Sequence, residues 1–118
     1  MKISNGVKIA ISSMEKNING NVADVFGRCS YFIVTQVEQG KIGEIEVIEN
    51  NNVNQNSGAG VSTAQLIAEQ KIDVVITKNM GPRAIDVLTQ FKIEVYSGEG
   101  IIKEVLEKFI NKKLKKIN

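Results

Sequence analysis

The sequence predicts an α/β domain, with helices packed on the faces of a mixed five-stranded sheet. Three observations lead there. Two runs, residues 7–11 (VKIAI) and 74–77 (VVIT), are almost continuously apolar and β-branched, as strands covered on both faces are. Residues 42–48 (IGEIEVI) instead alternate apolar and polar side chains, the mark of a half-exposed antiparallel edge strand. Beyond residue 60, helical and extended patterns alternate, which is the order of βα units.

The elements follow in chain order. Residues 7–11 form the first strand, and a polar stretch over 12–27 carries Asn19-Gly20 as a turn signal. Residues 31–34 (YFIV) are the second strand. Glu38-Gln39-Gly40-Lys41 turns the chain into the alternating third strand, so the pair is expected as a hairpin at one sheet edge. The two apolar runs, 7–11 and 74–77, belong side by side at the centre. Helix 61–70 (VSTAQLIAEQ) leads into strand 73–77. Helix Pro82–Gln90 puts Ala84, Ile85, Leu88 and Phe91 on one stripe and leads into strand 93–96. A last helix, from about Ile101, gathers Ile102, Val105, Leu106, Phe109 and Ile110 on one face, with Lys103, Glu104, Glu107 and Lys108 opposite. Residues 111–118 are expected to fray.

The 118 residues suffice for one domain with a single core, and 42% hydrophobic with 24% charged residues is a soluble, globular composition. No apolar run approaches the roughly 20 residues that span a bilayer, and the first residues lack a secretory signal's apolar region and cleavage site. A cytoplasmic protein without membrane association is expected, as a monomer or weak homodimer. One cysteine excludes an internal disulfide and any Cys-rich metal site made by one chain. The absence of histidine removes Ser–His and Cys–His catalysis and most zinc chemistry. The net charge of +2 is uneven: residues 101–118 carry six Lys and two Glu, leaving the rest at −2. That pattern reads as a solvated helix face rather than a nucleic-acid surface.

Residues 50–84 concentrate the features that bind ligands. An Asn-rich loop ends at Gly58-Ala59-Gly60 and opens one helix, while Lys78-Asn79-Met80-Gly81 opens another at Pro82, a favoured first helical residue. Helix starts present unpaired amides and partial positive charge, and glycine lets the backbone approach a ligand, so the pair suits an anion. The Lys78–Gly81 loop and the one through Gly27 and Arg28 are expected to meet at the carboxyl ends of the parallel strands, where α/β sheets bind ligands, with the Asn-rich loop as a third wall if it folds over the same edge. Cys29 is expected in a loop or at a strand mouth, as a thiolate favoured by Arg28 and offering one soft ligand; Met80 is a second soft donor. Arg28, Lys78 and Arg83 supply cations at the loop mouths. Each residue has a plainer reading as turn glycine, semi-buried thiol, loop packing or solvated charge. Asp24, Asp73 and Asp86 are scattered, so no catalytic carboxylate set is visible and a binding protein rather than an enzyme is expected.

Taken together, FGRCSYFIV (26–34), the GAG before a helix (58–60), IDVVITKNMGPRA (72–84) and IEVYSGEG (93–100) resemble the dinitrogenase iron–molybdenum cofactor biosynthesis family. The resemblance covers nearly the whole chain in order. It implies a three-layer α/β/α, ribonuclease-H-like fold and the binding of an anionic iron–sulfur or iron–molybdenum-type cluster, or its precursor, rather than catalysis. Family members commonly carry histidine near these segments; this chain has none, so Cys29 becomes the main candidate metal ligand. The expectation is a non-enzymatic cluster carrier that exchanges cargo with a donor or acceptor protein. Cys29 would ligate, Arg28, Lys78 and Arg83 would offset charge, Met80 would be a second donor, and amides at Gly58, Gly60 and Gly81 would bond the sulfides. The alternative is a small-anion or nucleotide-binding regulatory module using the same loops without metal. A nuclease-like enzyme is the third reading, weakened by the missing carboxylates.

Overall fold

A computed structural model describes residues 6–52 and 57–118. In chain order it contains β1 (Val7–Ser13), a short 3₁₀ turn (Phe26–Arg28), β2 (Tyr31–Glu38), β3 (Lys41–Glu49), α1 (Ala59–Glu69), β4 (Val74–Thr77), α2 (Pro82–Gln90), β5 (Glu94–Ser97), α3 (Ile102–Ile110) and β6 (Lys115–Lys116). The strands form one sheet in the order β3-β2-β1-β4-β5-β6. β1 runs parallel to β4 and β4 to β5, while β1–β2, β2–β3 and β5–β6 are antiparallel. The expected centre, β1 beside β4, and the expected edge hairpin are both present.

The faces follow from the strand period of two. Ala10, Phe32, Val34, Val75 and Val95 share one apolar cluster with Ala64 and Ile67 of α1 and Ala84 and Leu88 of α2. Ile9, Ile11, Ile33, Val74 and Ile76 point the other way, into a cluster with Ile102, Val105 and Leu106 of α3. The α3 stripe is as expected, and Phe109 at its half-buried end packs edge-on against Tyr96, with ring centres 5.1 Å apart.

Three expectations are corrected. The sheet has six strands rather than five, because the tail does not fray. Lys115–Lys116 pairs with β5, Ile117 N–H donates to Val95 O at 2.8 Å, and the Asn118 side chain accepts from Val95 N–H while donating to Ile93 O, each at 2.8 Å. Backbone pairing and one terminal amide thus hold a lysine-rich segment that no apolar pattern announced. α1 starts two residues before the expected Val61, from Gly58 in a left-handed conformation (φ 73°). Phe91 lies off the buried stripe, 59% exposed, because α2 ends at Gln90 and the chain turns through Lys92 at φ 62°. Half-buried Val87 packs against that cluster instead.

Candidate functional site

The loops after β1 and β4 meet at the carboxyl ends of the parallel strands, as the topology requires. Val25 and Asn79 form an isolated bridge, Phe26 N–H donates to Asn79 O at 2.9 Å, and the Asn79 side-chain amide donates to Asp24 O at 2.9 Å. The 3₁₀ turn this fixes lies against the start of α1. A Cβ on Gly27 would stand 2.8 Å from both Cα and N of Gly60, so only glycine lets these backbones touch. α1 in turn lies close to α2, since a Cβ at Gly60 would sit 3.5 Å from that of Ala84.

The two helix starts consequently open onto one shallow cleft of about 310 Å³, lined by Gly58, Gly60, Val61, Gly81, Pro82, Arg83 and Ala84. Their electrostatics differ from those of α3. The first turn of α3 carries Glu104, and its Ile102 and Lys103 amides donate to Gly20 O and Ile18 O at 2.9 Å. Among the described residues, α1 and α2 have neither an acidic residue in the first turn nor a side-chain cap from the N-cap residue, and α2 places exposed Arg83 in its first turn. A cation at the positive end of a helix is locally unfavourable unless an anion sits beside it.

The other expected residues fall elsewhere. Cys29 is wholly buried in the core, where Sγ–H donates to Phe26 O at 3.2 Å. Desolvation pushes its thiol from 9.0 up to about 11, outweighing the hydrogen bonds that favour the anion. Cys29 does stand between the 3₁₀ turn and β2, as expected, but the expected thiolate is corrected: burial governs this sulfur, not the neighbouring Arg28. Arg28 is exposed at the end of the 3₁₀ turn. Lys78 lies between Asp24 and Glu99, with N···O distances of 3.6 and 3.7 Å, so its charge is shared with two carboxylates on the surface. Met80 is half-buried against the cluster beneath α1 and α2 and does not line the cleft. Among the described residues, no three His, Cys, Asp or Glu side chains group as a metal site would need.

Two residues have roles that the sequence reading did not assign. Gly27 had a signal, as the glycine of FGR before a strand. Asn50 had none beyond its place in an Asn-rich run. It is buried; its amide donates to Cys29 O at 2.8 Å, and its Oδ1 accepts from Thr63 Oγ1 at 3.3 Å and Asn52 N–H at 3.1 Å. It ties the Cys29 loop, the end of β3 and α1 together.

Residues 7–112 match the sequence model of the family described as dinitrogenase iron-molybdenum cofactor. The chain belongs to that family. An uncharacterized protein of Methanocaldococcus jannaschii is 36% identical over 99 residues, covering 83% of this chain and 84% of its own. The apo form of the orange protein from Desulfovibrio gigas superposes with a TM-score of 0.85 at 25% identity, over 98% of this chain and 96% of that one. A Thermotoga protein placed in the DUF35 family superposes at 0.77 with 28% identity, over 92% and 91% of the two chains. In this family member the expected glycines and Arg83 share one cleft, while Cys29, Lys78 and Met80 stand apart from it. No helix among the described residues is long and apolar enough to cross a membrane.

Proposed function

We propose that the protein is a non-enzymatic carrier in which the cleft between the starts of α1 and α2 holds a preassembled, anionic metal–sulfide cluster or its precursor. The observation that carries the reading is Arg83 in the first turn of α2, lining a glycine-rich cleft shared with the start of α1, with no side-chain cap at either N-cap among the described residues. Family membership supports a molybdenum- or iron-containing cargo. The ribonuclease-H-like layering implied by the resemblance agrees with apolar clusters on both sheet faces.

The residues fit such a cargo in a particular way. A cluster complete in its own sulfides needs hydrogen bonds and countercharge, which amides near Gly58, Gly60 and Gly81 and the guanidinium of Arg83 offer. A cluster lacking a ligand would call on Cys29, but that thiol is protonated and enclosed. Binding is therefore noncovalent, reversible and weakened by salt, each exposed helix end contributing about 0.3–1 kcal/mol. The protein would exchange its cargo with a donor or acceptor protein in the cytoplasm. The buried thiol also favours a second reading, a metal-free module for a small oxyanion or nucleotide.

Anaerobic titration with tetrathiomolybdate, with and without ferrous iron, separates the readings by visible absorption. The carrier reading expects saturable spectral change, weakened by Arg83→Ala and by salt, and retained in Cys29→Ser. Loss of the bound spectrum in Cys29→Ser would make the thiol a ligand and overturn noncovalent binding. Saturable binding of inorganic phosphate or a nucleotide, with no change from thiomolybdate, would establish the second reading.

A further inference from the structure

The outer edge of the sheet carries a second, separate feature. β3 has no strand on its far side among the described residues, and along its whole length every residue is exposed or half-buried. Its pairing with β2 slips: Val37 faces Ile42 and Thr35 faces Ile45, so three steps on β3 match two on β2. Gly43 makes this bulge feasible, because a Cβ there would lie 2.8 Å from Gln36 O. The slip places Ile45 and Val47 on the face of Ile33, and Glu44 and Glu46 on the opposite face with Val34.

The edge thus shows two chemically distinct rows. Ile45 and Val47 remain 37% and 40% exposed. Glu44 and Glu46 border a cavity of about 620 Å³ that Gln36, Glu38, Lys8 and Lys41 also line. Lys8 turns its ammonium to Gln70 O at 3.1 Å. A second copy is a poor occupant, since antiparallel self-pairing about Ile45 would set Glu44 against Glu46 twice. The opposite edge of the same sheet is closed by a lysine-bearing strand, Lys115–Lys116.

We propose that β3 docks an extended segment of a partner protein that alternates basic and apolar side chains, adding it to the sheet as a further strand. Main-chain hydrogen bonds supply most of the affinity, as in β-augmentation. The glutamate row selects basic residues on one face of the incoming strand, and Ile45 and Val47 receive apolar ones on the other. The interaction is independent of the cleft between the helix starts, so its outcome leaves the carrier reading untouched.

The test uses a fluorescent peptide of nine residues, the length of β3, alternating Lys and Val. Anisotropy measures its binding to the full chain, and amide shifts of the isotope-labelled protein locate it. Expected are saturable binding at low salt, shifts concentrated on residues 41–49, and about tenfold weaker binding by a peptide carrying Pro at two Val positions. The Glu44→Lys/Glu46→Lys double variant is expected to bind about tenfold more weakly and to prefer a Glu/Val peptide. If it fails to fold by circular dichroism, Ile45→Lys takes its place, with the same expected loss. Equal binding of the proline peptide would reduce the effect to charge alone and overturn strand addition. So would shifts away from β3, absence of saturation, or a dimer in sedimentation that Ile45→Lys abolishes.

Discussion

Replacing Gly27 by Ala tests whether the 3₁₀ turn and α1 are in backbone contact. The added Cβ would stand 2.8 Å from Cα and N of Gly60 and 3.2 Å from the Ala59 carbonyl carbon. Carbon contacts settle near 3.5–4.0 Å, so the turn or the helix start must retreat by about 0.7–1.2 Å. Both sides are backbone, and neither has a side-chain rotamer to yield. Overpacking of this kind costs about 1–3 kcal/mol. Gly60→Ala is the matched control. Its Cβ would meet only the Ala84 methyl at 3.5 Å, an ordinary contact, and exchanging helical glycine for alanine gains up to about 1 kcal/mol. Urea denaturation followed by circular dichroism should move the midpoint down for Gly27→Ala and leave it level or higher for Gly60→Ala. For a chain of this size, thermal midpoints should fall by about 3–6 °C per kcal/mol lost. If Gly27→Ala were as stable as wild type while Gly60→Ala lost stability, the assignment of contact and open space at the cleft would be reversed, and the site geometry with it.

Cys29 gives a pH signature. Its folded pKa is raised from 9.0 to about 11, so between those values the native state holds a proton that the unfolded chain has lost. Its contribution is complete below about pH 9 and disappears as pH rises through 11, a loss on the order of 2–3 kcal/mol relative to Cys29→Ala in pH-dependent denaturation; parallel profiles for the two proteins would show the thiol to be solvated. Asn50→Ala should cost about 1–3 kcal/mol in urea, since it strands Cys29 O and the Thr63 hydroxyl without their partner; an unchanged midpoint would mean the clasp is not made. Leu106→Ala, at a fully buried site on α3, should cost about 2–5 kcal/mol, whereas exposed Phe91→Ala should stay within about 0.5 kcal/mol. Equal losses at the two positions would place Phe91 back in the core.

The parts of this fold that were legible in the sequence are those where one periodicity acts alone. Residues 7–11 and 74–77 are apolar on both faces and lie side by side at the centre of the sheet, as β1 and β4. The alternation of 42–48 marked the edge strand, though not the bulge at Gly43, because a slip that preserves the outer pattern leaves no trace in composition. β6 was illegible because lysines disfavour a strand, and backbone pairing with β5, helped by the Asn118 side chain, overrides that preference.

Sequence spacing put the glycines and Arg83 at loop–helix boundaries, a local property, and the topology brings those boundaries together around one cleft. It anticipated neither the burial of Cys29 nor the carboxylates around Lys78, for one shared reason. The charge state and reach of a side chain depend on tertiary neighbours, here the core around Phe26 and Phe32, and the carboxylates of Asp24 and Glu99. Arg28 stands next to Cys29 in sequence, yet desolvation moves the thiol's pKa the other way. On the carrier reading proposed above, the burial of Cys29 changes the chemistry available to the cleft. A site that brings amides and a guanidinium but no thiolate selects cargo by charge and shape, and it releases that cargo without breaking a metal–sulfur bond to the protein. On that proposal, release requires only a competing acceptor or a rise in ionic strength, which is the behaviour a carrier needs and a storage site must avoid.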